Sequence, residues 1–139
     1  MRILVLLEVG VDVRVAPELD PRSGRVREAW LVRQLDPAAE RALELALAIK
    51  NQGSEAEINV LHLGAADAET WLRQALARGA DQALRIWSEE LGDAGTEAKA
   101  LVLTTAAQTL GYDLILSGVS GVVHAGGQLG ILLAEHLSV

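Results

Sequence analysis

Four short apolar runs, spaced by helical patterns, constrain this chain more than any other feature. Residues 2–7, 56–63, 83–87 and 113–117 are each of strand length and too short for a buried helix. The first, Arg2-Ile-Leu-Val-Leu-Leu7, is apolar without alternation, as a strand covered on both faces is. Asp36-Pro37 opens the first helix, since Asp suits the N-cap and Pro the first helical position. Ala39, Leu43, Ala46 and Leu47 follow at helical spacing, and Asn51-Gln-Gly53 stops the element. A second helix spans 66–78, with Trp71, Leu72, Ala75 and Leu76 as its apolar stripe and Gly79 as its terminator. A third spans 99–110, and the last begins near Gly126 or Gly127. Strands alternating with helices predict an α/β fold with a mainly parallel sheet flanked by helices.

One excursion interrupts this rhythm. Residues 11–16 read as a short edge or hairpin piece, 17–24 as a turn region rich in Pro, Asp and Gly, and 26–32 as a return strand. The acidic stretch 88–97 reads as solvated. At 139 residues a single domain over 1–139 is expected, with no internal repeat and no low-complexity linker.

Composition narrows the function classes. Half of the residues are hydrophobic but Phe is absent, so the core is built from Leu, Val, Ile and Ala. The net charge is −7, and ten of the twelve basic residues are scattered arginines, so no basic face for nucleic acid is expected. With no cysteine there is no disulfide, thiolate metal site or Cys nucleophile, which accords with a cytoplasmic location. No run reaches membrane-spanning length.

The chemistry concentrates near the C-terminus. After the strand Leu114-Ile-Leu, five glycines fall within residues 118–130, and a helix follows. Glycine lets backbone N–H groups approach a ligand closely. The helix start adds unpaired N–H groups and partial positive charge, a combination suited to phosphate. The other reading is a strand-to-helix loop without a ligand. Ligands of open α/β sheets lie outside the carboxyl ends of the strands, where strand order reverses. Residues 7–10, 63–66 and 118–130 qualify, and the Asp36-Pro37 helix start would close such a crevice.

The chain resembles the N-terminal part of the electron-transfer flavoprotein beta subunit. Arg2-Ile-Leu-Val-Leu-Leu7 is similar to the family's opening strand, and Leu35-Asp-Pro-Ala-Ala-Glu40-Arg-Ala-Leu-Glu44 to its Asn-Pro-x-x-Glu-x-Ala-x-Glu helix. Gly64-Ala-Ala66 and Gln74-Ala-Leu-Ala-Arg-Gly79-Ala-Asp81 are similar to Gly-Pro-Ala and Ala-Leu-Ala-Met-Gly-Ala-Asp. Asp113-Leu-Ile-Leu-Ser-Gly118 and Gln128-Leu-Gly130 are similar to Asp-Leu-Val-Leu-x-Gly and Gln-Thr-Gly. The order and spacing of these motifs carry the resemblance across essentially the whole chain. It implies a three-layer, Rossmann-like, adenine-nucleotide-hydrolase-like core holding AMP or FAD. It also implies an alpha-subunit partner in a heterodimer, and electron transfer from flavin dehydrogenases to a quinone reductase or similar acceptor. Carried over by position, the cofactor site comprises Leu6, Asp36, Leu63, Gly118, Val119, Ser120, Gly121, His124, Ala125, Gly126, Gly127, Gln128 and Leu129. The chain departs from the family pattern at Glu8 (Lys in the family), at Asp36 (Asn), and at Val123 and His124 (an acidic pair). The family's C-terminal part, with its arm around the alpha subunit, lies beyond these 139 residues.

Two further readings stand beside this one. Gly118-Val-Ser-Gly121 matches the start of the Gly-x-x-Gly loop of universal stress proteins, but their next glycine would fall at Ile131 rather than Gly130. That reading implies a homodimeric nucleotide sensor. The other is a paralogue that keeps the fold without a ligand. Single residues also carry paired readings: Asp36 as cap or ligand, Gln128 as phosphate donor or surface amide, His124 as nucleotide contact or exposed loop residue. His62 is expected to pack inside its strand and His136 to lie on the surface. Trp30, Trp71 and Trp87 are expected in the core or an interface, and Glu40 and Glu44 on a solvated helix face. The histidines lack metal-ligand spacing, and neither a Walker loop nor a nucleophile elbow is present. No catalytic residue is assigned.

Overall fold

In the computed structural model, which describes residues 1–53, 55–92, 94–119 and 127–139, a four-stranded parallel sheet forms the middle layer. Its strands are β1 (Arg2–Leu6), β4 (Glu57–Leu63), β5 (Gln82–Ile86) and β6 (Leu114–Leu116), in the order β5-β4-β1-β6. The chain builds outward from β1 through β4 to β5, then crosses back to place β6 on the other side of β1. Strand order therefore reverses at β1, the point at which open α/β sheets hold ligands.

Two cores cover the sheet. On one face Ile3, Val5, Ile58 and Val60 meet Leu43 and Ala46 of α1 (Pro37–Asn51) and Leu72 and Ala75 of α2 (Glu69–Arg78). On the other, Leu4, Leu6 and Leu61 meet Leu103 and Ala107 of α4 (Thr96–Leu110) and Leu133 of α5 (Gln128–Leu137). Consecutive residues of β1 thus serve opposite cores, which is why that strand carries no polar alternation. Each fully buried leucine contributes about 1.5–3 kcal/mol. The expected three-layer architecture is the one observed.

The Gly79-Ala-Asp81 motif is structural. Gly79 ends α2 with a φ of 120°. Asp81 then accepts a hydrogen bond from the Ile58 N–H at 2.7 Å and pairs with Lys50 Nζ at 2.7 Å, tying α1 to the sheet. The backbone bond first, and Lys50 second, hold the Asp81 carboxyl below its ordinary range.

The excursion differs in register from the expectation. β2 (Val9–Val11) pairs antiparallel with β3 (Arg33–Leu35), so the hairpin begins and returns at the sheet rather than at 11–16 and 26–32. Val26 makes one bridge to Leu19, and residues Glu28–Trp30 turn as a short 3-10 helix. The reason is tertiary: Leu35 packs against the α1-side core, and Asp36 must sit at the α1 start, which fixes the return strand just before it. Trp30 is 66% exposed and Trp87 41%, so neither is a core residue, whereas Trp71 packs partly buried against the α1-side core. The stretch 88–97 is not wholly irregular: it carries the four-residue α3 (Glu89–Gly92) and the first residues of α4.

Candidate functional site

The carboxyl edge of the sheet places three helix starts around the ends of β1, β4 and β6. They are chemically unlike. The α1 start is closed: the Ala38 and Ala39 N–H groups donate to Asp36 Oδ1 at 2.8 and 3.3 Å, and Asp36 is 4% exposed. Gly118, just past β6, seals it further. A Cβ there would lie 2.9 Å from the Ala39 nitrogen, so only glycine lets the chain pass so close. The starts of α4 and α5 are open. Their N-caps are Gly95 and Gly127, and neither supplies a side-chain hydrogen bond. Each leaves N–H groups without intrahelical partners and about half a positive charge.

A cavity of 240 Å³ lies between these two open starts and the ends of β1 and β4. Leu6, Leu7, Leu61, Leu63 and Leu103 supply its apolar wall. Thr96, Lys99, Gly127 and Gln128 bring donors from the helices. Glu8 and His62 come from the strand ends. Lys99 makes no ion pair among the described residues. His62 Nδ1 lies 2.7 Å from the Leu7 carbonyl oxygen; a carbonyl only accepts, so the proton is on Nδ1 and Nε2 carries a lone pair. Burial lowers the His62 pKa and keeps the ring neutral at pH 7. Burial, and secondarily the Asp36 carboxylate, raises the Glu8 carboxyl above its ordinary range.

Of the site residues expected from sequence, the structure brings Leu6, Leu63, Gly127, Gln128 and Leu129 together around the cavity. Asp36 and Gly118 stand beside it at the α1 start, and Val119 is exposed. Ser120, Gly121, His124, Ala125 and Gly126 lie outside the described residues. Sequence reasoning did not place Thr96, Lys99 or His62 in the site, whereas Glu8 falls within the segment 7–10 expected at the crevice. For Thr96 and Lys99 the available signal was Gly95, a terminator-like residue before a helical pattern, following a strand that ends at the sheet's carboxyl edge. Elsewhere, Glu40 and Glu44 each pair with Arg78, at 3.0 and 3.1 Å, across the outer surface of α1 and α2. His136 is partly buried rather than on the surface, with Nε2 2.9 Å from Glu97 Oε1 but out of line for a hydrogen bond. Among the described residues no group of His, Cys, Asp and Glu could hold a metal ion, and no helix is long and apolar enough to cross a membrane.

The model of the electron transfer flavoprotein domain matches residues 25–139. The chain belongs to the electron transfer flavoprotein family. Within it, the chain is similar to beta subunits. It is 30% identical over 139 residues to the electron transfer flavoprotein subunit beta of Clostridium acetobutylicum, covering 100% of this chain and 53% of that protein. It is 31% identical over 140 residues to the caffeyl-CoA reductase-Etf complex subunit CarD of Acetobacterium woodii, again 100% of this chain and 53% of the relative. The acryloyl-CoA reductase electron transfer subunit gamma of Anaerotignum propionicum is 29% identical over 142 residues, with 52% of its length covered. The chain thus spans about half the length of the curated relatives it matches.

Proposed function

We propose that this chain is an electron transfer flavoprotein beta-like subunit that binds an adenine nucleotide, AMP or FAD, at the carboxyl edge of its parallel sheet. The observation that carries this reading is the cavity at the strand-order reversal, bounded by two helix starts without side-chain caps. The donor set fits an anionic ligand: backbone N–H groups of α4 and α5, the Gln128 amide and the Lys99 ammonium, which makes no ion pair among the described residues. The leucine wall fits an apolar ring face. At 240 Å³ the cavity is smaller than the ~300–1,000 Å³ of sites that enclose a drug-sized ligand. It therefore encloses one part of the nucleotide, with the remainder lying along the sheet edge. Leu6, Leu63, Gly127, Gln128 and Leu129 contact it, while Asp36 and Gly118 hold α1 in place beside it.

When FAD is the ligand, the flavin supplies the redox chemistry and the chain supplies binding and orientation. No side chain is assigned a bond-making role. The wider reading is a cytoplasmic heterodimer with an alpha subunit, carrying electrons from flavin dehydrogenases. The reductase complexes named for two relatives make CoA-thioester reductase systems the first place to seek its redox partners.

Two experiments test this. Calorimetry of the purified chain with AMP, ADP and FAD should show saturable binding; no heat and no thermal shift with any of them at millimolar ligand removes the nucleotide site. Co-expression with candidate alpha subunits should yield a yellow complex with flavin absorbance, and elution of the chain alone in every case removes the partner.

A further inference from the structure

The cavity is electrically two-sided. On its helix side stand Lys99, Gln128 and the open starts of α4 and α5, all donors. On its strand side stand Glu8, just past β1, and His62 near the end of β4, both bringing acceptor atoms. Glu8 and Lys99 form no ion pair with each other, so neither charge cancels the other by contact. His62 is 6% exposed, and its Nε2 accepts no hydrogen bond among the described residues. Gly64 keeps that nitrogen uncovered, because a Cβ at 64 would strike it. A ligand N–H or O–H would satisfy this lone pair, which meets no donor among the described residues.

We propose, resting on the nucleotide reading above, that Lys99 and Glu8 fix which way round the nucleotide lies: phosphate against Lys99 and the two helix starts, nucleoside hydroxyl or amino donors against Glu8 and His62. The reversed placement sets a phosphate against a carboxylate and a lone pair and leaves the lysine unsatisfied, a like-charge arrangement the cavity disfavours. Lys99 thus discriminates between nucleotide and nucleoside, while Glu8 serves both.

Calorimetry of wild type, Lys99→Met and Glu8→Ala with AMP and with adenosine reads this directly. Loss of one charge-assisted contact weakens binding about tenfold or more. Lys99→Met should therefore weaken AMP by that factor and leave adenosine unchanged. Glu8→Ala should weaken adenosine severalfold. Glu8→Lys serves as the opposite-sign control and should not tighten AMP. AMP binding by Lys99→Met equal to wild type, equal losses for both ligands in that variant, or tighter AMP binding by Glu8→Lys each overturns the orientation while leaving the nucleotide site standing. Failure of wild type to bind either ligand overturns the nucleotide site and the orientation with it. Circular dichroism of each variant separates loss of binding from loss of fold.

Discussion

At the start of α1 the Asp36 carboxylate takes two N–H groups and Gly118 packs against them, whereas the starts of α4 and α5 carry glycine caps and face a cavity. All three helices begin near the same sheet edge, yet one start is capped by a carboxylate and the other two have no side-chain cap from their N-cap residues. The difference teaches that a helix start is a binding feature only where the fold leaves it unsatisfied. The α1 motif is among the most legible in the chain, and its carboxylate caps its own helix.

Substitutions at four positions probe this contrast. Gly118→Ala is expected to cost most, about 1–3 kcal/mol in denaturant unfolding, because its methyl group meets α1 backbone rather than a movable side chain. Stability equal to wild type would show that the α1 start is not sealed as described. Asp36→Ala should cost about 1 kcal/mol and Asp36→Asn much less, since Asn caps as well as Asp. Neither should change ligand affinity beyond its effect on folding. A large affinity loss in a folded Asp36→Asn protein would move Asp36 from cap to ligand.

Glu8→Gln tests the strand side through pH. Glu8 is charged in the unfolded chain above its ordinary value of 4.5, and its folded value is raised. The folded state therefore holds this proton more tightly. Glu8's contribution to stability is present below about pH 4.5 and is lost as pH rises through the raised value. Asp36 adds to the rise, and Lys99 and His62 are the other ionisable groups on the same cavity. Thermal melts from pH 4 to 8 should show Glu8→Gln gaining on wild type as pH rises; parallel profiles would place Glu8 in solvent. The smallest stability effect belongs to Gly95→Asp, which gives α4 the cap it lacks. A Cβ at 95 meets nothing within 4 Å, so the protein should gain a few tenths of a kcal/mol. AMP affinity should fall, because the new carboxylate takes donors meant for the anion. Unchanged affinity would remove the α4 start from the site.

The architecture was legible because it rests on local signals that tertiary packing reinforces. Asp36-Pro37 capped a helix where expected, and residues 3–7, on and just past β1, serve two cores in alternation, which accounts for their unbroken apolarity. The hairpin return was not legible. Residues 26–32 have strand-like composition, but pairing was decided by Leu35 packing and the Asp36 cap, which no local pattern reveals. The site divided in the same way. Gln128 and Gly127 could be found from the glycine-rich run before α5. His62 could not, since it lies inside a strand, and for Lys99 the one signal was Gly95 before its helix; the closing of the sheet brings both to one cavity.

Amide chemical shifts in ¹⁵N-labelled protein titrated with AMP test the central claim most directly. The account predicts saturable shifts at Thr96, Lys99, Gly127, Gln128 and Leu129, with Ala38 and Ala39 unmoved. Shifts centred on Ala38 and Ala39, with residues 96–99 and 127–129 unmoved, would contradict it.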